Sequence, residues 1–376
     1  MRTLLIGYST EKTFRHTMER MREFGVDIDV LDLARVAQPG LVVDIVDDPS
    51  ALVVTIGDQR HDLGSYRAIY NRAYWTDLRS ASRNGALSRL VRSIAGWLAT
   101  CPGTVVNRPG CGASNCNKFF HGMALKQMGF RIPFTVVTGD PLQAGLLAQQ
   151  GFDIVSKSCS SLKTRTTAMA QDDWQRLHAL LDCPTLFQRR IRGDEVRVHW
   201  IGGRLFPERI ATHRVDYRFA DPGVPPNRHR DCEVPADIAR LCDRYCTSES
   251  LVFAGFDFKI EADETWTVLE ANPMPGYESY DRRQGHRIAR ALADLLTSNT
   301  ATPPPPASTN TRTSWETRDT SPPLDYGTDI YDTSGDRDVQ STLFVGEERR
   351  PVCRPFFHAM HHDADAGRDS GTTGGR

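Results

Sequence analysis

The stretch GFDFKIEADETWTVLEANPMPG, residues 255–276, carries Asp257, Glu270 and Asn272 among Phe256, Phe258, Trp266, Val268 and Leu269. Charged side chains are rarely buried without partners. A two-residue turn at Asp263-Glu264 would fold the stretch into a hairpin. Pairing then sets Asp257 opposite Glu270, with Asn272 two residues further along the same face. Two carboxylates and an amide oxygen, with no His or Cys, suit a hard cation. Mg2+ suits best, because it commonly takes only one or two carboxylates plus substrate phosphates. The plainer reading is a solvated sheet edge with an Asn-Pro turn at 272–273, and spacing alone leaves both open.

A metal–phosphate site also needs cations facing the phosphates. Lys157 ends a predicted strand, DIVSK; Lys118 opens a predicted helix; Arg197 sits in DEVRV, among alternating apolar neighbours. Taken singly, each is more often a surface charge.

The elements that must position these groups follow from the hydrophobic pattern. Residues 1–105 alternate strand and helix signals: TLLIGYS, TEKTFRHTMERMREFG, VDIDVLDL, ALVVTIG, YRAIYNRAYW and NGALSRLVRSIAGWLATC. That alternation predicts a small parallel α/β domain, Rossmann-like but without a GxGxxG dinucleotide fingerprint. Residues 106–183 read as helix NKFFHGMALKQMG, strand IPFTVVTG, helix PLQAGLLAQQG and strand FDIVSKS, which enters the loop CSSLKTRTT. Residues 184–298 predict successive antiparallel strands TLFQRRI, EVRVHWI and RLFPERIATH, with turns at Arg192-Gly193-Asp194 and Gly202-Gly203. A helix, the hairpin and a last helix, GHRIARALADLL, follow. In the first of these helices Ile238, Leu241, Cys242, Tyr245 and Cys246 form a buried helical stripe, so Cys242 and Cys246 read as core and not as metal ligands.

Residues 299–376 change character. TSNTATPPPPASTNTRTSWETRDTSPP cannot bury a core and predicts a disordered tail. A formal net charge of −1 argues against nucleic acid or an acidic membrane surface as a partner. No apolar run reaches spanning length, and the N-terminal apolar stretch is too short for a signal peptide. Nine cysteines, an odd number without a CxxC pair, fit a reducing, cytoplasmic setting.

The order of these motifs is N…NK…GF-x-IP-x-T, a strand lysine, Q-x-x-I-x-G-x-E-x-R, then D-x12-E-x-N-P. It resembles the ATP-grasp superfamily of carboxylate–amine and carboxylate–alcohol ligases. Within that superfamily it is similar to the microviridin-type (graspetide) peptide ligases and to the ribosomal-protein glutamate ligases. VVNRPGCGASNCNKFFHGMALKQMGFRIPFTVVTGD, VDYR at 215–218 and IARALADLL at 288–296 favour the first. The resemblance covers about residues 1–298 and implies ATP and Mg2+ as cofactors.

It also implies roles. Lys118 and Lys157 would contact ATP phosphates, main chain near Gln188, Arg190 and Ile191 would hold adenine, and Glu195 the ribose. Arg197 would face the phosphate and acyl-phosphate, and Arg209 the donor carboxylate, both as catalytic groups. Asp257, Glu270 and Asn272 would hold Mg2+, and Asp216 and Arg218 would shape the acceptor site. Two departures stand out. The loop after Lys157 lacks glycine, so hydroxyls of Ser158, Ser160 and Ser161, with Lys163 and Arg165, would replace the backbone contacts that a glycine-rich loop supplies, or else the loop no longer closes and activity is lost. Arg189 stands where relatives often carry an acidic residue.

The function implied is ATP-dependent joining of peptide side-chain carboxylates to Ser or Thr hydroxyls or Lys amines. The alternatives are an amino-acid ligase adding glutamate or a similar unit to a protein or small molecule, and a catalytically silent peptide-binding module. The partner implied is a precursor or acidic peptide, with a homodimer as one assembly. In the tail, Pro355, Phe356 and Phe357 resemble the leader segment of microviridin precursors. That suggests a fused leader or substrate acting in cis. Lys259 is the last lysine in the chain, so crosslinks within the tail would be esters.

Overall fold

The computed structural model describes residues 2–36, 52–56, 59–73, 85–151, 153–159, 165–219 and 223–298. Among the described residues six strands lie in the first part: β1 (Thr3–Gly7), β2 (Ile28–Asp32), β3 (Val53–Ile56), β4 (Gln59–Asp62), β5 (Ala68–Asn71) and β6 (Thr104–Val106). Four of them form a parallel sheet in the order β2-β1-β5-β6. Parallel sheets are covered on both faces, and the side chains of β1 divide accordingly. Leu4 and Ile6 pack with Leu90, Ile94 and Leu98 of helix α2 (Gly85–Thr100). Leu5 packs with Phe14 of helix α1 (Lys12–Glu23) and with Tyr70 and Val106. The stretch ALVVTIG departs from expectation: β3 pairs antiparallel with β4 and stays out of the parallel sheet. A link of two residues between them permits only an antiparallel hairpin.

Helix α3 (Lys118–Gln127) starts at Asn117, whose side chain caps the N–H groups of Phe119 and Phe120. A second sheet follows, built from β7 (Thr135–Thr138), β8 (Ile154–Lys157), β9 (Thr167–Ala168) and β10 (Thr185–Arg189). Its order is β7-β10-β8-β9, and helix α4 (Pro141–Ala148) packs on it through Ala144 and Leu147.

The third sheet holds β11 (Asp194–Ile201), β12 (Arg204–Ala211), β13 (Arg228–Arg230), β14 (Phe253–Ile260) and β15 (Trp266–Asn272), antiparallel in the order β13-β12-β11-β14-β15. The expected turn at Arg192-Gly193-Asp194 does not make a hairpin. β10 is bonded on one side to β7 and on the other to β8, which leaves no edge for β11, so residues 190–193 link two sheets. Sheet membership therefore crosses the residue 183/184 limit read from the sequence. Helix α5 (Ala236–Ser248) covers one face of the third sheet. Ile238, Cys242, Tyr245 and Cys246 pack there with Val196, Val198, Phe256 and Phe258, and burial pushes the Cys246 thiol up. Helices α6 (Glu278–Arg283) and α7 (Arg287–Thr297) join this sheet to the first through Phe206, Phe253, Ile288 and Leu292. Among the described residues no helix is long and apolar enough to cross a membrane.

The hairpin of β14 and β15 reaches the expected pairing by another route. Glu261 N–H bonds to the Thr265 carbonyl at 3.1 Å, and Glu264 has φ 60°. The turn thus spans three residues with the last in the left-handed region, not two. That alone would slip the register by one. A bulge between Asp257 and Phe258 absorbs one extra residue, Leu269, and restores it. Asp257 faces Glu270 and Gly255 faces Asn272.

Candidate active site

Register places four charged residues in one row across the third sheet. Glu208 on β12 faces Arg197 on β11, which faces Asp257 on β14, which faces Glu270 on β15. Directly paired residues in antiparallel strands share a face, so all four stand on the face opposite α5. The next row is Glu195, Lys259 and Thr267; the row on the other side is His199, Gly255 and Asn272. Gly255 leaves room for the guanidinium: a Cβ there would lie 2.4 Å from Arg197 Nη2 and 2.7 Å from Pro275 Cβ.

Arg197 Nη1 donates to Asp257 Oδ1 at 2.8 Å. Burial, offset by Arg197 and reinforced by the nearby Glu270, holds the Asp257 carboxyl above the usual range. Glu270 is half-buried, and its carboxylate has no hydrogen-bond or ion-pair partner among the described residues. Asn272 Oδ1 accepts the Met274 N–H at 2.8 Å, an Asx turn that leaves its second lone pair for another partner. Two facing carboxylates, one of them unpaired, with an amide oxygen in the adjacent row, fit a divalent oxygen-seeking cation.

Basic groups converge on this face from other elements. Lys118 begins α3, and its N–H bonds to the Cys159 carbonyl at 3.0 Å, which ties the helix start to the end of β8. Lys157, the last residue of β8, donates to Gln188 Oε1 at 2.8 Å, and Gln188 Nε2 donates to Thr135 Oγ1 at 3.0 Å. Burial pulls the Lys157 ammonium down to about 8, against the raising effect of Glu270 and Glu195. Lys118 is lowered for the same first cause and also feels Glu270. Arg218 grips the buried Asp216 through two bonds of 2.6 and 2.8 Å and extends its field to Asp257. Asp216 also accepts the Thr166 N–H at 3.3 Å.

Some expected residues lie elsewhere or are already committed. Arg209 does not face this row. It pairs with Val196, so it stands on the α5 face, where it binds Asp194 at 2.7 Å and Glu264 at 3.2 Å. The Gly202-Gly203 turn fixes this: counting back from it sets Glu208, not Arg209, opposite Arg197. Glu195 is buried and ion-paired to Lys259 Nζ at 3.0 Å, which also donates to the Gly193 carbonyl at 3.1 Å. The Arg189 and Arg190 N–H groups bond to the Phe134 and Asp153 carbonyls, and Ile191 is buried. Ser160, Ser161 and Lys163, and Pro355, Phe356 and Phe357 of the tail, lie outside the described residues.

The face holds groups that the motifs did not announce. Glu208 is buried and bound by Arg283 at 2.7 Å and His229 at 2.7 Å. Tyr217 and Tyr280 share a 2.8 Å hydroxyl contact beside Arg197, and burial pushes both phenols up. His199 is buried near Arg197, and burial pushes its imidazole well down. His199 was accessible from the alternation of β11; Tyr217 and Tyr280, 63 residues apart, had no sequence signal linking them.

No protein-family model matches the chain. It is similar to the macrocyclase MdnC of Microcystis aeruginosa MRC, solved bound with precursor peptide MdnA: 21% identity and a TM-score of 0.67, over 79% of this chain and 100% of that one. It is similar also to ATP-grasp ligase PsnB, solved with a phosphomimetic variant of a minimal precursor, Mg and ADP: 23% identity and a TM-score of 0.65, over 78% and 97%. By sequence it is 25% identical over 212 residues to beta-citrylglutamate synthase B of Danio rerio, covering 52% of this chain. The chain spans about half the length of the curated relatives it matches. Likeness at these identities speaks for architecture, and the chain has the ATP-grasp fold.

Proposed function

We propose that the chain is an ATP- and Mg2+-dependent ligase that activates side-chain carboxylates of a peptide as acyl-phosphates and joins them to Ser or Thr hydroxyls or Lys amines. One observation carries this reading: the facing Asp257 and Glu270 carboxylates, with Lys118, Lys157, Arg197 and Arg218 converging on them. MdnC and PsnB, whose structures contain precursor peptides, support a peptide as the substrate.

Asp257, Glu270 and Asn272 would hold Mg2+, which when bound neutralises phosphate charge during transfer. Lys118 and Lys157 hold the phosphates from the side of β8 and α3. Main chain near Gln188, Arg190 and Ile191 would take the adenine through groups other than the Arg190 N–H, which bonds to Asp153, and Glu195 would take the ribose while keeping its ion pair to Lys259. Arg197 stands beside the donor oxygen, and its fixed charge stabilises the negative charge that builds on the activated carbonyl. Arg218, set by Asp216, orients the donor or acceptor side chain. The donor carboxylate oxygen bonds to the γ-phosphorus as ADP leaves. The acceptor oxygen or nitrogen then bonds to the carbonyl carbon, the bond from that carbon to the phosphate oxygen breaks, and the acceptor's proton leaves with the phosphate.

The test is ADP release by purified protein with Mg2+ and acidic Ser/Thr-containing peptides, followed by intact mass. The expected result is peptide-dependent ADP release and loss of one water mass per bond formed. ADP release that requires a free amino acid and leaves every peptide unchanged would move the assignment to the second reading. That reading, an amino-acid ligase, is favoured by the match to beta-citrylglutamate synthase B.

A further inference from the structure

His121 lies on α3 three residues after Lys118, close to one helical turn further along. Its ring is buried and held at both nitrogens. Nε2 lies 2.9 Å from the Ala271 nitrogen and Nδ1 lies 2.9 Å from Ser114 Oγ. An amide N–H can only donate, so Nε2 is the bare acceptor and Nδ1 carries the proton that goes to Ser114. Burial pushes the imidazole down to about 4, which keeps it neutral near pH 7.

The residue it holds is telling. Ala271 sits between Glu270 and Asn272, on the outermost strand of its sheet. An edge strand has one row of backbone groups without a strand partner. Here the row is met by Arg131, whose carbonyl takes the Val268 N–H at 2.9 Å, and by His121. The bulge at Leu269 interrupts the ladder immediately before Glu270.

We infer that His121 is a positioning residue: its bare Nε2 pins the peptide between Glu270 and Ala271 to α3, so one side chain sets the metal-facing strand against the helix that presents Lys118. This rests on the metal–nucleotide reading of the site. A merely space-filling histidine would make the same packing contacts without needing an acceptor at that point.

The two are separated by Mn2+ titration, followed by electron paramagnetic resonance, of the full chain with a non-hydrolysable ATP analogue. His121→Leu keeps most of the volume and removes the acceptor; His121→Gln brings a carbonyl oxygen to the same reach. With Leu the Mn2+ midpoint should rise about tenfold, and with Gln less than about threefold, while analogue binding in chelator stays within about twofold of wild type. A Leu variant with the wild-type midpoint overturns the inference, and so does a Gln variant as weak as Leu. Should Leu fail to fold, His121→Asn replaces it, because its amide is too short to reach Ala271. Equal Mn2+ midpoints for Asn and Gln then overturn the inference. Wild-type protein that takes up no Mn2+ with the analogue sinks the metal-site reading itself, and the inference with it.

Discussion

The two faces of the third sheet are made by the same strands and differ in almost every physical respect. On one, Val196, Val198, Phe256 and Phe258 lie in a continuous apolar core against α5. On the other, the residues that alternate with them are Glu195, Arg197, His199, Asp257 and Lys259. A fold that needed only stability would bury apolar groups on both faces, since a buried ion pair seldom stabilises more than the apolar groups that could replace it. The charged face is therefore the costly one, and its charges are arranged in rows that leave one carboxylate, Glu270, without a hydrogen-bond or ion-pair partner among the described residues. The lesson is that substitutions on the two faces should fail in different currencies: stability on the α5 side, chemistry on the other.

The largest effect should come from Glu270→Ala set beside Phe258→Ala. The first should lower peptide-dependent ADP release about 10³-fold or more with the melting midpoint little changed, because repulsion of Asp257 and attraction of Lys157 and Lys118 are lost together. The second should cost about 3–5 kcal/mol of unfolding free energy while the folded fraction keeps its turnover rate. Matching losses in both assays for both variants would erase the division between faces.

Arg197→Met comes next and should fail both ways. It leaves Asp257 beside Glu270 without its cation, so urea unfolding should show a loss of about 3 kcal/mol. ADP release should fall about 100-fold, as it does when a preorganised charge at a reacting group is removed. If the second change Asp257→Asn restores stability but not turnover, the stability loss came from the uncompensated carboxylate.

Lys157 sharpens the comparison through pH. Its ammonium titrates near 8 because burial disfavours the charged form. Below that pH it can hold a phosphate; above it the charge is lost. Nucleotide affinity measured by calorimetry should be level below about pH 7 and weaken by up to about tenfold toward pH 9.5, and Lys157→Met should flatten the curve. Stability shifts in the opposite sense. Between pH 8 and about 10.4 the unfolded chain keeps a proton that the folded chain has released, so stability from this group rises with pH across that window. A level wild-type affinity curve would remove Lys157 from the phosphate contacts.

How far the sequence reveals this site depends on which interactions are local. Asp257, Glu270 and Asn272 were legible because a hairpin is short, yet the pairing survives only because the longer turn and the Leu269 bulge offset each other. Neither was visible in residue types. The α/β alternation of the described N-terminal residues, β3 and β4 apart, and the core role of Cys242 and Cys246 were legible from periodicity alone. The placement of β10 was not, since its partners β7 and β8 compete with β11 only in three dimensions. His121 escaped for the same reason: its bond to Ala271 crosses 150 residues, and a histidine in an apolar helix looks like core.

The smallest expected effect belongs to Arg209, and it tests the sheet's alternation most directly. Its pairing with Val196 puts it among the α5-side residues, with Asp194 and Glu264 as partners. Glu264 is exposed, and an ion pair in that setting contributes about 0–1 kcal/mol. Arg209→Ala should therefore change ADP release by less than about threefold and unfolding free energy by no more than about 1 kcal/mol. Glu208→Gln, one residue earlier and on the charged face, should change turnover more than Arg209→Ala does, because it loosens His229 and also Arg283, which lies over the Tyr280 ring. A loss of tenfold or more from Arg209→Ala with Glu208→Gln silent would mean that the reactive face is the one against α5.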